Sequence, residues 1–336
     1  MMTTTESPRK EVPTVSPRNE ASRGTLARVL TSQEFWTRAA APVALAVAFV
    51  AFSIAAPNFF TAANINGMLA DAAIPILLAV GMTFAVMLAG IDLSQASTLA
   101  FASVLFGIAY GAGWGLLLSF LVAVAVGVGV GILNGFFVGI VRIPDMISTL
   151  GTMGLMMGLS LIISRGIPEP VSDPVLRTIA SDSLGPFRWN FLIVLLVVIL
   201  LHVLLTHTPL GTHLLAVGDS MDASKAMGLR VSRIKIIGYV IAGLMAGLAA
   251  VALILYVGST QPAANTDYVL KAVAATVLGG TSLFGGRATV WGPALGAVLL
   301  TVLQTGMIMV GVEAFYEQAV IGIVVLAAAT LMRGRK

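Results

Sequence analysis

The sequence has no cysteine, only three histidines and very little charge: Asp, Glu, Lys and Arg together make up 10% of its 336 residues. Without cysteine, disulfides, thiolate metal ligands and thiol catalysis are excluded. The shortage of charge excludes an ordinary soluble domain, in which about a quarter of residues are charged. Apolar residues take that place, at 58% of the chain with a mean hydropathy of +0.98. Such a composition belongs to a polytopic all-α membrane protein, and at about 20 apolar residues per span it accounts for roughly ten transmembrane helices. The 35 glycines fit, because small residues let helix backbones approach one another inside a membrane. The formal net charge of +4 is no argument for a nucleic-acid partner. In a chain surrounded by membrane lipid, what matters is where the basic residues lie.

Residues 1–38 are polar and rich in Thr, Ser, Pro and Arg, and are expected to form a cytoplasmic tail without stable structure. No short apolar core with a small-residue cleavage site precedes residue 39, so a cleaved signal peptide is not expected. The membrane portion, 39–332, reads as spans at 39–56, 71–89, 95–112, 114–139, 146–164, 189–205, 234–257, 269–284, 290–311 and 318–332, followed by a basic end at 333–336. With the amino terminus inside, the cytoplasmic side receives the six basic residues of the tail, Arg142, Lys225, Arg230, Arg233, Lys235, Arg287, Arg333, Arg335 and Lys336. Only Arg165, Arg177, Arg188 and Lys271 fall outside, an asymmetry that agrees with the positive-inside rule and places both termini in the cytoplasm. The largest outer loop, residues 165–189, carries Pro168, Pro170, Pro174 and Pro186; it is either a structured cap over the outer mouth or a plain connector.

No catalytic constellation is present, and the chain is expected to be a non-enzyme that binds no cofactor or metal of its own. His202, His207 and His213 are spaced by five and six residues, which does not place them on one helix face, and no acidic partner completes a metal set. Residues 218–225 have a loose likeness to a phosphate-binding loop. However, Ala223 and Ser224 stand where that motif needs glycine before its lysine, and Ala226 follows Lys225 in place of Ser or Thr. Nucleotide hydrolysis by this chain is therefore not expected.

Polar residues within the apolar runs are the next candidates, since burying them costs a few kcal/mol unless they face a cavity or a partner. Asp92 falls in the interruption Gly90-Ile91-Asp92-Leu93-Ser94-Gln95, between two runs that would otherwise be nearly continuous. A break of this kind exposes helix-end amides and carbonyls, as transporter sites do; alternatively, Asp92 and Ser94 cap the helix that follows. Asn134 and Gln304 are amides on long spans, and each hydrogen-bonds either a polyhydroxylated ligand or a neighbouring helix. A second interruption, Gly279-Gly280-Thr281-Ser282-Leu283-Phe284-Gly285-Gly286, predicts a tight turn or a broken helix. Gly127, Gly131, Gly135 and Gly139 recur every fourth residue, so one helix face is bare backbone against which a neighbour packs. Finally, the polar loop 206–233 between two apolar runs is longer and more patterned than a connection needs, which points to a surface gripped by another protein.

Several stretches together resemble the ribose-type permeases of carbohydrate-uptake ABC transporters, within the branched-chain amino acid/sugar permease superfamily. They are PNFFTAANI (57–65), AVGMTFAVMLAGIDLS (79–94), ISTLGTM (147–153), LGTHLLAVGDSMDASKAMGLRVSRIKI (210–236) and QPAANTDYVLKAVAATVLGGTSLFGG (261–286). The resemblance implies a permease subunit of an ATP-driven importer of a small sugar or polyol. The subunit would pair with a second copy or a paralogue, and ATP and magnesium would sit on a separate cytoplasmic ATPase. An extracytoplasmic sugar-binding protein would deliver the solute. It also implies that Ala216, Val217, Gly218, Asp219, Ala223, Ser224, Met227 and Gly228 belong to the segment that couples to the ATPase. Branched-chain amino-acid import is the near alternative, and an ion-coupled secondary transporter the alternative of a different class. The chain departs from the family pattern at Tyr268-Val269-Leu270-Lys271, where relatives carry acidic residues after the tyrosine. It departs again at Gln95-Ala96 in place of a common Val-Gly, and at Ala288 after Arg287.

Overall fold

The computed structural model describes residues 33–185, 187–263 and 267–332. The expected tail, apart from its last six residues, and the basic end 333–336 lie outside them. The chain divides into two compact units, Met1–Trp36 and Thr37–Lys336. The described part of the first is a single helical turn, residues 33–36, and the architecture that follows belongs to the second.

Among the described residues thirteen α-helices carry the fold: α1 Gln33–Ala55, α2 Ala62–Val86, α3 Gln95–Gly111, α4 Gly115–Phe136, α5 Asp145–Ser164, α6 Pro174–Ser181, α7 Trp189–His207, α8 Pro209–Asp219, α9 Met221–Ala226, α10 Val231–Val257, α11 Asp267–Leu278, α12 Trp291–Met309 and α13 Glu317–Met332. A two-stranded hairpin, β1 Ser183–Leu184 and β2 Phe187–Arg188, joins α6 to α7. Among the described residues six helices are long and apolar enough to cross a membrane: α2, α4 with its π-helical extension to Val141, α5, α7, α10 and α12. Two shorter apolar stretches, Ala41–Ala55 and Gln95–Gly111, accompany them. All ten expected spans correspond to helices, so the chain is a multi-pass all-α membrane protein, but not every helix is full length. The expected span 269–284 stops at Leu278, because Gly280, Gly285 and Gly286 adopt positive φ angles of 81°, 85° and 71° that no helix accommodates.

The expected span 71–89 starts nine residues early, at Ala62. Helix α1 ends just before Ala56-Pro57, where the proline ring disfavours helical geometry in the residue ahead of it. Asn58 then turns the chain with φ 67°, and the Thr61 hydroxyl accepts the Asn64 amide N–H at 3.3 Å as the amino-terminal cap of α2. Asn64 closes the turn by donating to the Phe59 carbonyl at 2.8 Å. Phe59 is fully buried, edge-on to Phe49 with ring centres 5.5 Å apart.

Helix α2 is the hub. Its 25 residues rise about 37 Å, its spanning window is 89% buried inside the protein, and it packs against α10, α11 and α12. A helix that is apolar on every side belongs in this position. The closest pair is α4 with α10. A Cβ at Gly135 would stand 2.7 Å from the Ile236 Cα, and one at Gly139 would stand 2.9 Å from the Ser232 carbonyl oxygen. Gly127 and Gly131 face the backbone of Gly243 and Tyr239 in the same way. The glycine ladder is thus the groove into which α10 fits. Helix α10 rises about 40 Å from Val231 to Val257. The α8–α9 loop adjoins its first turn, and the loop preceding α6 meets its last.

Candidate functional site

At the end of α10 away from α8 and α9, the proline-rich loop is structured. Asp173 caps α6 by accepting the Val175 N–H at 2.8 Å, with Pro174 at the first helical position. Glu169 and Thr260 exchange hydrogen bonds at 2.9 Å, Thr260 N–H to the Glu169 carbonyl and Glu169 N–H to the Thr260 hydroxyl. Val171 N–H donates to the Gly258 carbonyl at 2.9 Å. The Tyr110 hydroxyl donates to the Ser172 carbonyl and to Asp173, both at 3.1 Å. This loop is fastened to α3 and α10 and is not a slack connector.

Residues 87–94 separate α2 from α3. Asp92, Ser94 and Asn134 are buried together at 1%, 1% and 0% exposure. Asp92 Oδ1 accepts the Ser94 N–H at 3.0 Å and the Ser94 hydroxyl at 2.6 Å, while the Asn134 amide donates to Ser94 Oγ at 2.8 Å. Asp92 therefore holds the residue at the start of α3 and does not reach the second or third amide of that helix. Ser94, at the cap position, makes no side-chain cap bond. Gln95 turns back onto α2. Its amide is oriented so that it donates to the Leu78 carbonyl and accepts from the Met82 N–H, both at 2.9 Å, and Gly81 leaves it room. Gly90 is required by crowding, since a Cβ there would run into the Asp145 carboxylate and the Tyr239 hydroxyl. Thr149 on α5 donates to the Ile91 carbonyl at 3.0 Å.

Asp145, Thr149 and Tyr239 thus belong to the surroundings of the break although sequence reasoning passed over them. Asp145 carries no signal beyond its position after Pro144, and Tyr239 lies in an unbroken apolar run. Gln304 is not part of this group. Its side-chain carbonyl accepts from Lys271 at 3.0 Å, and Lys271 pairs with Glu317 at 2.6 Å, so one cation ties α11 to α12 and α13. Gln304 is half-buried, less deeply placed than its setting in an apolar run suggests.

The polar loop 206–233 folds as the short helix α8, a turn at Ser220 and one turn of helix, α9. The Ser220 hydroxyl caps α9 by accepting the Ala223 N–H at 3.2 Å, and Gly228 ends the segment at φ 82°. Of the residues assigned to coupling, Val217, Gly218 and Ser224 are buried, Ala216 is half-buried, and Asp219, Ala223, Met227 and Gly228 are exposed. Only the exposed ones can meet a partner directly; the buried ones anchor the loop. Met221 at the start of α9, absent from that assignment, also shows an exposed apolar side chain, as does Met227 directly after α9, which is 68% exposed. Behind this surface, the glycine-rich turn 279–290 crosses the end of α2: the Gly286 N–H donates to the Met87 carbonyl at 3.0 Å. His202 and His207 lie with ring centres 6.5 Å apart, and among the described residues no group of three His, Cys, Asp or Glu is placed to hold a metal ion.

The arrangement combines an exposed polar loop with a buried polar break between two helices. Comparison with known proteins gives it a family. The family model for the permease component of the branched-chain amino acid transport system matches residues 64–329. The chain is 36% identical to the ribose import permease protein RbsC of Bacillus subtilis over 86% of its own length and 90% of the relative's. It is 33% identical to the RbsC of Escherichia coli K12 over 85% and 90%. To the autoinducer 2 import system permease protein LsrC of Yersinia enterocolitica it is 33% identical over 84% and 79%. No solved structure matches it. With the fold, the interrupted helices and the loop in place, these similarities make the chain a member of the ribose-type ABC sugar permease family.

Proposed function

We propose that this chain is the membrane-spanning half of an ATP-driven importer that carries a small sugar or polyol, delivered by an extracytoplasmic binding protein, across the inner membrane of a prokaryote. The observation that carries this reading is the similarity to ribose import permeases over nine-tenths of their length. A second copy or a paralogue completes the pathway. ATP and magnesium act on a separate ATPase that docks on the exposed face of α8 and α9, through Asp219, Ala223, Met227 and Gly228. Val217, Gly218 and Ser224 hold that face in place. The break at Gly90, Asp92, Ser94 and Gln95, with Asn134, borders the translocation path. Both termini face the cytoplasm, as the basic-residue asymmetry supports. The pathway alternates between outward and inward access when the ATPase pair closes and pushes on the loop.

The test is uptake by proteoliposomes containing the permease, its ATPase and its binding protein, offered radiolabelled ribose, autoinducer 2 and leucine. ATP-dependent uptake of ribose or another polyhydroxylated solute is expected. Uptake of leucine alone would favour amino-acid import. Uptake without ATP that collapses with an ion gradient would overturn the ABC reading in favour of a secondary transporter. Asp92→Asn keeps the oxygen that accepts from Ser94, so it is expected to assemble normally and to lower uptake. Unchanged uptake would reduce Asp92 to a structural clamp.

A further inference from the structure

Three chain segments, each distant in sequence, meet backbone to backbone just behind the exposed α8–α9 surface. They are the end of α2 at residues 87–89, the end of α8 at Gly218 and Asp219, and the glycine turn at Gly285 and Gly286. A Cβ on Gly218 would collide with the Met87 carbonyl and stand 2.8 Å from the Gly286 nitrogen. A Cβ on Gly285 would stand 2.5 Å from the Gly218 carbonyl oxygen and 3.1 Å from Ala89, and one on Gly286 would stand 2.8 Å from the Asp219 Cα. The Gly286 N–H donates to the Met87 carbonyl at 3.0 Å, so a carbonyl at the end of α2, which no residue of that helix can satisfy, is held by the turn. Within two residues the chain adopts a left-handed conformation at Ala89, φ 60°, which is uncommon for a residue with a side chain. Three residues after Ala89 comes Asp92 and its hydrogen bonds to Ser94.

This geometry has a mechanical consequence. Contacts between side chains absorb small displacements by changing rotamer; contacts between backbones cannot, because close-packed atoms with no intervening side chain transmit strain directly. A shift of α8 must therefore move Met87 and Ala89. The conformation of Ala89 is held by its surroundings, and strained backbone of this kind persists only where neighbours over-determine it.

We propose that the junction of Met87, Ala89, Gly218, Gly285 and Gly286 is the transmission point of the transporter. Displacement of α8 by the docked ATPase passes through it into the 87–94 break and resets Asp92 and Ser94. These residues act by positioning; they contact neither ATPase nor solute. The inference rests on the docking reading given under Proposed function and adds the route by which docking reaches the path.

The absence of native cysteine makes the test direct. Ile91→Cys, in the half-buried centre of the break, is labelled with a membrane-impermeant maleimide in the assembled complex, with and without ATP and vanadate. In the otherwise native chain the labelling rate is expected to change several-fold on trapping. In Gly285→Ala, a change in the glycine turn and outside the residues assigned to docking, the ATPase should still co-purify, while the ATP-dependent change in labelling disappears. If Gly285→Ala fails to assemble, Ala89→Gly replaces it. Removing that Cβ relieves the left-handed strain without adding bulk, and solute imported per ATP hydrolysed is expected to fall several-fold with ATPase binding intact. A trapping-dependent change that persists in Gly285→Ala, an unaltered ratio in Ala89→Gly, or a break whose labelling ignores ATP in the native chain would each overturn the transmission role. Failure of any ATPase to bind the native chain would instead overturn the docking reading.

Discussion

The Asn134 amide on α4 donates to the Ser94 hydroxyl at 2.8 Å, and Ser94 in turn donates to Asp92 at 2.6 Å, so a single chain of hydrogen bonds pins the α2–α3 break to the glycine-bearing helix. All three side chains are buried. Removing the donor at one end leaves the Ser94 oxygen without its partner, at a cost of about 1–3 kcal/mol for a buried polar group. Asn134→Ala is therefore expected to lower the thermal midpoint of the detergent-purified protein by several degrees. Asn134→Asp should lower it further at neutral pH, since a second carboxylate would then lie beside Asp92. Two denaturation curves read by tryptophan fluorescence decide it, and a wild-type midpoint in both would show that the chain of bonds holds nothing.

The α4–α10 contact makes a paired prediction on one helix. Gly131 has the Tyr239 carbonyl and the Val240 Cα, the latter at 2.7 Å, where a Cβ would go, whereas Gly129 two residues earlier has nothing within 4 Å. Gly131→Leu forces the helices apart and should abolish accumulation of folded protein, by overpacking that costs about 1–3 kcal/mol or more. Gly129→Leu, of the same chemistry, should accumulate normally. Size-exclusion profiles of the two would separate packing from helix propensity, and equal behaviour would contradict the packing account.

Most helices are legible in the sequence because apolar runs and their interruptions are written locally. The misplaced ends have physical reasons. Asn64, Asn66 and Asp71 make the first turns of α2 look like a loop, yet Pro57, Asn58 and Thr61 build a start signal that outweighs their polarity. Leu283 and Phe284 make the glycine turn look like membrane span, yet Phe284 is 90% exposed because the glycines have already turned the chain. The glycine ladder, the AGIDLS break and the GGTSLFGG turn each stand out alone. Their convergence does not, because Met87, Gly218 and Gly286 are brought together only by the path of the helices between them. The same holds for Tyr239 beside Gly90 and for Glu317 beside Lys271, pairs with no local periodicity to announce them.

Lys271 is a cation in the otherwise uncharged α11 beyond its first residue, and its environment explains how the chain tolerates it there. The ammonium pairs with Glu317 at 2.6 Å and donates to Gln304 at 3.0 Å, with the two charged side chains only 14% and 15% exposed. Breaking a largely buried pair from one side leaves an uncompensated charge and costs about 3–5 kcal/mol, while replacing both partners with apolar residues is close to neutral. Lys271→Met and Glu317→Leu should each destabilise the protein strongly, and the double variant should recover most of the loss. A double-mutant cycle on thermal midpoints measures the coupling; additive effects would mean that α13 is not held by this pair.

Residues three apart at the end of α9 have opposite fates: Ser224 on the helix is fully buried and Met227, directly after it, is 68% exposed, with Met221 exposed as well. Burial therefore separates residues that hold the loop from residues that can be touched. Met227→Glu adds charge at a mostly exposed position, so the variant's stability should stay within about 0.5 kcal/mol of the native protein's. If α9 enters a cleft of the ATPase, the same substitution buries an unpaired carboxylate at the interface, and binding should weaken by two orders of magnitude or so, from a loss of about 2–4 kcal/mol. Ser224→Leu should show the reverse ordering, with a lowered midpoint first and weakened binding as its consequence. Pull-down of the ATPase alongside denaturation of each variant distinguishes the two. Native-level binding by Met227→Glu would move the docking surface off α9, whereas its loss with stability unchanged would locate the contact on the methionine face.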